Sequence, residues 1–164
     1  WYGLEEAATK TVWDKTPHEA FGVRYALEDA WLTARLPSGR KLWYPNPQPV
    51  RKAMPWDETE VRPGFTYNAL KMGQWKTIHA YGGLLTETGG EGLGRDIMCA
   101  AMFRLEGQNF PIVLTVDDEI VTEPDEFSVD EKAFAQIMCE GTAWSKELCI
   151  PIATETWVGE RYRK

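Results

Sequence analysis

Three consecutive carboxylates, Asp117, Asp118 and Glu119, stand between two apolar, β-branched runs, Phe110 to Val116 and Ile120 to Thr122. Carboxylate oxygens are hard donors, and one or two of them beside substrate phosphates suit Mg²⁺. The flanking runs have the composition of paired strands, so the acids are expected at the bend of a hairpin. Strand ends of this kind are expected to be buried, where carboxylates are costly without a compensating cation. In extended backbone alternate side chains share a face, which groups Asp117 with Glu119 and turns Asp118 away. One local triplet therefore cannot supply a full two-metal site, which needs a carboxylate from elsewhere. A plain polar turn explains the same residues, because Asp is common in turns. Residue types and spacing leave both readings open.

Other chemistry is sparsely provided. Cys99, Cys139 and Cys149 form no C-x-x-C pair, and with only His18 and His79 no zinc-ligand spacing exists. The three cysteines are expected as buried thiols of a reducing compartment. So few histidines support no nucleophilic triad, and His79 reads as structural. Thr88 to Gly94 holds four glycines but matches neither phosphate-loop pattern, which leaves close backbone packing as its use. The eight tryptophans could stack on bases. Trp13, Trp31, Trp43 and Trp144 sit at apolar positions of expected elements, which favours core packing.

These residues need a scaffold. Apolar spacings of three and four predict a helix over Trp1 to Lys15, stopped by Pro17. A hairpin follows: Trp31 to Leu36, a turn at Pro37 to Arg40, then Lys41 to Tyr44. Five prolines between 45 and 63 predict a loop or extended connector. Phe65 to Leu70 reads as a short strand. The longest helix is expected from about Thr86 to Gly107, weakened by its glycines at roughly 1 kcal/mol each. Ser128 to Glu131 reads as a capping box opening a helix to about Gly141. Pro151 to Lys164 reads as a strand and a basic tail.

The 164 residues suit one domain, and 43% hydrophobic content excludes disorder. No apolar run is long enough to span a membrane. The net charge of −7 argues against a simple electrostatic nucleic-acid binder. It is unevenly spread: residues 1–82 carry eleven Lys/Arg and nine Asp/Glu, whereas 83–164 carry seven and sixteen. An acidic half can be a solvated face, an interaction surface, or carboxylates gathered for a cation.

Taken in order, the segments resemble the C-terminal part of a family A DNA polymerase of the bacteriophage type. Trp1-Tyr-Gly-Leu-Glu-Glu-Ala-Ala-Thr-Lys-Thr-Val12 is similar to the helix that follows the fingers in that family. Leu36-Pro-Ser-Gly-Arg40, with Leu42 and Tyr44, matches its LPSGR-x-L-x-Y hairpin. Tyr81-Gly-Gly, Thr86-Glu87 and Arg95-Asp96-Ile97 resemble the phage YGG…TEN…Q…RD helix. Val116-Asp-Asp-Glu-Ile-Val121 resembles motif C, and Trp157 to Lys164 resembles the phage C-terminus.

The resemblance implies an α+β fold: a palm-like antiparallel sheet backed by helices, with a motif C hairpin, residues 1–164 forming the C-terminal palm segment. It puts Asp118 on a metal-binding aspartate and Glu119 on the acid beside the primer terminus. Asp117, Glu91, Arg40 and Arg95 fall on DNA-facing positions. Implied partners are primer-template DNA, deoxynucleoside triphosphates and two Mg²⁺ ions, in the cytoplasm of a bacterial cell. Motif A's aspartate and motif B's lysine and tyrosine have no counterpart here, so an upstream segment carrying them is expected. The chain begins with Trp1 rather than Met, in keeping with a portion of a longer product that does not polymerise alone. Its unpartnered apolar faces imply self-association of the isolated chain. Two departures stand out: Asp117 replaces a histidine, bringing an acid toward phosphate, and Glu91 replaces a glutamine, leaving an acceptor only. With the glycine run, they favour the alternative of a degenerate, non-catalytic DNA-binding or assembly module on a palm fold. A metal-dependent nuclease built on Asp117, Asp118 and Glu119 is a third reading.

Overall fold

The computed structural model describes residues 1–54, 57–125, 127 and 130–162. The chain divides into two compact units, Trp1–Leu93 and Gly94–Lys164.

The first unit opens with helix α1 (Tyr2–Asp14), which buries Ala7, Ala8, Thr11 and Val12 along one side. Lys15 ends it in the left-handed region at φ 61°, and Pro17 follows. Four antiparallel strands then meander in order: β1 (His18–Ala20), β2 (Val23–Glu28), β3 (Trp31–Arg35) and β4 (Lys41–Pro45). The hairpin expected over residues 31–44 is present, with β1 and β2 added at its side. Alternation sends Leu32, Ala34 and Tyr44 inward, and gives Trp31, Arg35 and Trp43 to the outside.

The tryptophans are correspondingly not core residues. Trp31 and Trp43 meet edge to face on the outer surface, with ring centroids 5.9 Å apart. The Trp13 indole N–H donates to the Gly64 carbonyl at 2.9 Å, and Trp144 is half-buried. The inner positions had gone to smaller or aliphatic neighbours.

The proline-rich stretch is not a connector. It supplies β5 (Gln48–Met54) and the start of β6 (Asp57–Lys71), which pair with β7 (Gln74–His79) in a second antiparallel sheet. Proline lacks the ladder N–H and is tolerated at sheet edges. Pro49 lies on edge strand β5. Pro63 lies where β6 has only β5 beside it, because pairing with β7 begins at Thr66. Pro55 lies outside the described residues. Tyr25, Leu32, Phe65 and Leu85 are the largest fully buried side chains of this unit's core.

Helix α2 (Gly82–Gly107) starts four residues earlier than the periodicity indicates and runs unbroken through the glycines. Its first turn holds no acid of its own. The Gly82 N–H instead donates to Oε2 of Glu5 in α1 at 2.8 Å, so a carboxylate from the other helix meets the positive helix end. Tyr44 and Thr88 share a hydrogen bond of 3.0 Å between β4 and α2.

Close packing accounts for one glycine of the run. A Cβ at Gly92 would lie 2.8 Å from Leu36 Cδ1, whereas one at Gly89, Gly90 or Gly94 would meet nothing within 4 Å. Gly89 and Gly90 line an apolar pocket of about 190 Å³ with Leu4, Tyr25, Leu36 and Leu93. Gly89→Ala and Gly90→Ala are therefore expected to stabilise the protein by about 0.5–1 kcal/mol each. At Gly92 the buried Leu36 must move, at a cost of about 1–3 kcal/mol that exceeds the helical gain. Urea melting of the three alanine variants checks this; equal shifts at 90 and 92 would refute the packing argument.

The second unit contains β8 (Ile112–Val116) and β9 (Glu119–Thr122), which form a two-stranded antiparallel ribbon, then α3 (Glu131–Cys139) and α4 (Ala143–Glu147). Asp130 caps α3 by accepting from the Ala133 N–H; Ser128 of the expected capping box lies outside the described residues. Residues 151–159 form no strand, since no neighbouring strand pairs with them among the described residues. Arg163 and Lys164 of the expected tail lie outside the description. The cysteines also differ from expectation: Cys99 is half-buried, and Cys139 and Cys149 are exposed at helix ends. The described residues thus form an α+β fold with antiparallel sheets and four α-helices.

Candidate catalytic hairpin

The ribbon β8–β9 is anchored from below. Leu105, Phe110 and Ile137 form a buried cluster against which Ile112 and Ile120 of the ribbon pack. The Phe110 and Phe134 rings meet edge to face at 5.6 Å. Glu106 accepts from the Ile112 N–H at 2.7 Å and fixes the start of β8. Arg104 donates to the carbonyls of Ile137 and Gly141, tying the end of α3 to α2. None of these polar ties was legible beforehand; acid and arginine positions in a helix carry no mark of their distant acceptor.

The ribbon places the acids at its bend, as the apolar flanks indicate. Val116 pairs with Glu119, leaving Asp117 and Asp118 as a two-residue loop. Asp117 has φ 50°, a left-handed conformation that Asp accepts better than most side chains. The strand-like alternation expected of the triplet does not extend to it, because two of its members form the turn.

Burial is also corrected. Asp117 and Asp118 are exposed and Glu119 is half-buried, so no desolvation cost demands a cation. No group of three His, Cys, Asp or Glu side chains able to hold a metal exists among the described residues. The donor chemistry of the exposed aspartates fits a hard divalent cation with water and phosphate in its remaining positions. A metal held here would need further oxygen donors from elsewhere.

Glu119 has a partner that composition does not indicate. The Tyr162 hydroxyl donates to Glu119 Oε2 at 2.7 Å, which joins the C-terminal segment to the first residue of β9. The carboxylate stabilises the protonated phenol and raises its pKa, with the negative charges of Glu119 and Asp117 adding to the effect. A raised phenol pKa means that this contact is fully present below pH ~10 and is lost as pH rises through the folded-state value. Glu119→Gln is expected to lower the pH at which Tyr162 ionises, detected as phenolate absorbance against a Tyr162→Phe background. An unchanged titration would show that the two side chains are not in contact in solution.

The remaining site residues stand on other elements. Arg40 is exposed in the β3–β4 turn, and its Cδ would lie 3.8 Å from a Cβ at Gly92. The hairpin carrying Leu36 and Arg40 thus sits on α2 next to Glu91. Glu91 and Arg95 are exposed, four residues apart on α2. His79 is exposed at the end of β7.

Sequence comparison decides the relationship. The chain is 30% identical over its full length to a DNA polymerase of Bacillus phage SP02. Along its whole length, this chain is a relative of part of a bacteriophage DNA polymerase. It spans 24% of that polymerase's own length. No protein-family model matches the chain, and no solved structure matches it. The polymerase relationship covers both units, the acid-tipped ribbon and the Leu36–Arg40 hairpin alike.

Proposed function

We propose that this chain supplies the C-terminal palm portion of a family A DNA polymerase, with β8–β9 as its motif C hairpin. Full-length similarity to a phage DNA polymerase carries the reading. The acid-bearing turn in the ribbon gives it a site. On this reading Asp118 is a metal-ligating carboxylate, and Glu119, restrained by Tyr162, lies beside the primer terminus. Glu91 offers an acceptor and Arg95 a donor to DNA, and Arg40 offers a donor from the turn packed against Gly92. Two Mg²⁺ ions, when bound, supply activation of the primer 3′-hydroxyl and charge stabilisation at the pyrophosphate leaving group. A hydroxyl oxygen attacks the α-phosphorus of a deoxynucleoside triphosphate, and the bond to the pyrophosphate oxygen breaks.

Two features support a larger body that completes the site. Val113 and Leu114 are exposed on the ribbon, although strands of that composition are normally covered. Trp1, Tyr2 and Tyr81 are exposed near the junction of α1 and α2. An upstream segment with motifs A and B would cover such surfaces and add the missing carboxylate; without it the chain is expected to be inactive and to self-associate. No helix among the described residues is long and apolar enough to cross a membrane, and the proposed setting is the cytoplasm of a bacterial host.

The exposed Asp117 favours one further reading, a module that keeps the fold and binds DNA without polymerising. Asp117→His separates the two. His tolerates the left-handed conformation of this turn and removes a charge that repels phosphate. In the intact protein, Mg²⁺-dependent primer extension is expected, with KM for primer-template falling about threefold in the variant at low salt. Absence of extension by both proteins, at any Mg²⁺ concentration, would favour the non-catalytic module.

A further inference from the structure

The β6–β7 hairpin carries exposed apolar side chains on one side of its tip. Leu70 pairs with Trp75 across the two strands, and they are 61% and 67% exposed. Both lie on the side that carries the hydrogen-bonded pair Asn68–Thr77, opposite the core side of Phe65 and Tyr67. Met72, completely exposed, forms the loop with Gly73 at φ 52° and 73°. Such two-residue loops favour Asn-Gly; a large apolar side chain here is neither a conformational preference nor a packing one.

The other side of the same tip is basic. Lys71 and Lys76 are diagonal neighbours there, continuing the core-side positions past the end of the core. Neither has an ion-pair partner among the described residues. From Val61 to Thr86 the sequence contains no Asp or Glu, in a chain of net charge −7. A stretch cleared of acids, with unneutralised lysines behind exposed apolar and aromatic side chains, is complementary to an anion that also presents flat apolar faces. Duplex grooves present polar base edges. Unpaired bases present their rings, and stacking on an aromatic side chain beside phosphate-binding cations is the general mode of single-strand binding.

We propose that the β6–β7 tip is a contact for single-stranded DNA, with Trp75 stacking on a base, Leu70 and Met72 flanking it, and Lys71 and Lys76 holding adjacent phosphates. The inference goes beyond the catalytic hairpin and does not depend on it. Binding is measured without Mg²⁺ or nucleotide, so loss of polymerisation and loss of this contact are separately visible.

The experiment is anisotropy titration of the full chain with a labelled oligothymidylate about 15 nucleotides long. Trp75→Ala is expected to weaken binding about tenfold. Lys71→Gln with Lys76→Gln is expected to flatten the slope of log K against log salt by about 1.4, at roughly 0.7 per phosphate on single strands. Met72→Asn installs the preferred turn residue, so it should keep or raise the Tm while weakening binding a few-fold; that combination distinguishes lost contact from lost fold. Wild-type affinity in all three variants would overturn the proposal. So would unchanged DNA binding accompanied by an altered association state, since the tip would then be a protein-docking surface.

Discussion

On the proposed function, Asp118→Ala in the intact protein is expected to reduce primer extension about a thousandfold. A metal's stabilisation of transition-state charge is worth several kcal/mol, and each ~1.4 kcal/mol is a factor of ten. Loss of one carboxylate that holds such a metal forfeits most of that. The substitution should not disturb the fold: Asp118 is exposed, and its backbone is not among the left-handed residues. Exposed positions of this kind usually change stability by less than ~0.5 kcal/mol. Asp118→Asn should fall almost as far, because it retains shape and loses charge, whereas Asp125→Ala, at another exposed acid, should leave the rate unchanged. A steady-state rate within a few-fold of wild type for Asp118→Ala would remove Asp118 from the metal site.

Leu105→Ala is expected to destabilise the second unit by about 3 kcal/mol, within the 2–5 kcal/mol typical of buried leucines. Leu105 is fully buried and belongs to a cluster whose other buried members are Phe110 and Ile137. A core this small has little capacity to repack around a cavity. Because Ile112 and Ile120 rest on the same cluster, the ribbon should open more readily: amide exchange in β8–β9 is expected to accelerate roughly a hundredfold. Amides of β2 and β3, with their own core, should hardly change. Uniform acceleration through both units would mean that they unfold as one.

The hairpins at 31–45 and 112–122 were legible because alternation and β-branched runs are local signals that the fold reinforces. The second sheet was not. Five prolines between 45 and 63 argue for a connector, and only the ladder reveals that Pro49 and Pro63 fall where no donor is required. The tryptophans misled similarly, since an apolar residue type does not disclose which face of a strand it occupies. At the candidate site the turn was foreseen but its exposure was not: apolar flanks suggested a buried bend, whereas the ribbon has no third strand among the described residues. The Tyr162–Glu119 and Glu5–Gly82 contacts span 43 and 77 residues. No pattern of local spacing could contain them.

The Glu5–Gly82 contact has a consequence for how the chain is made. At about 5–20 residues per second, the ribosome delivers Gly82 roughly 4–15 seconds after Glu5. During that interval α1 has emerged without the helix whose N-terminus it completes, while strands β1 to β4 appear early enough to shelter its apolar side. Vectorial synthesis thus favours assembly of α1 onto the first sheet before α2 docks, and α2 is then received by a carboxylate already in place.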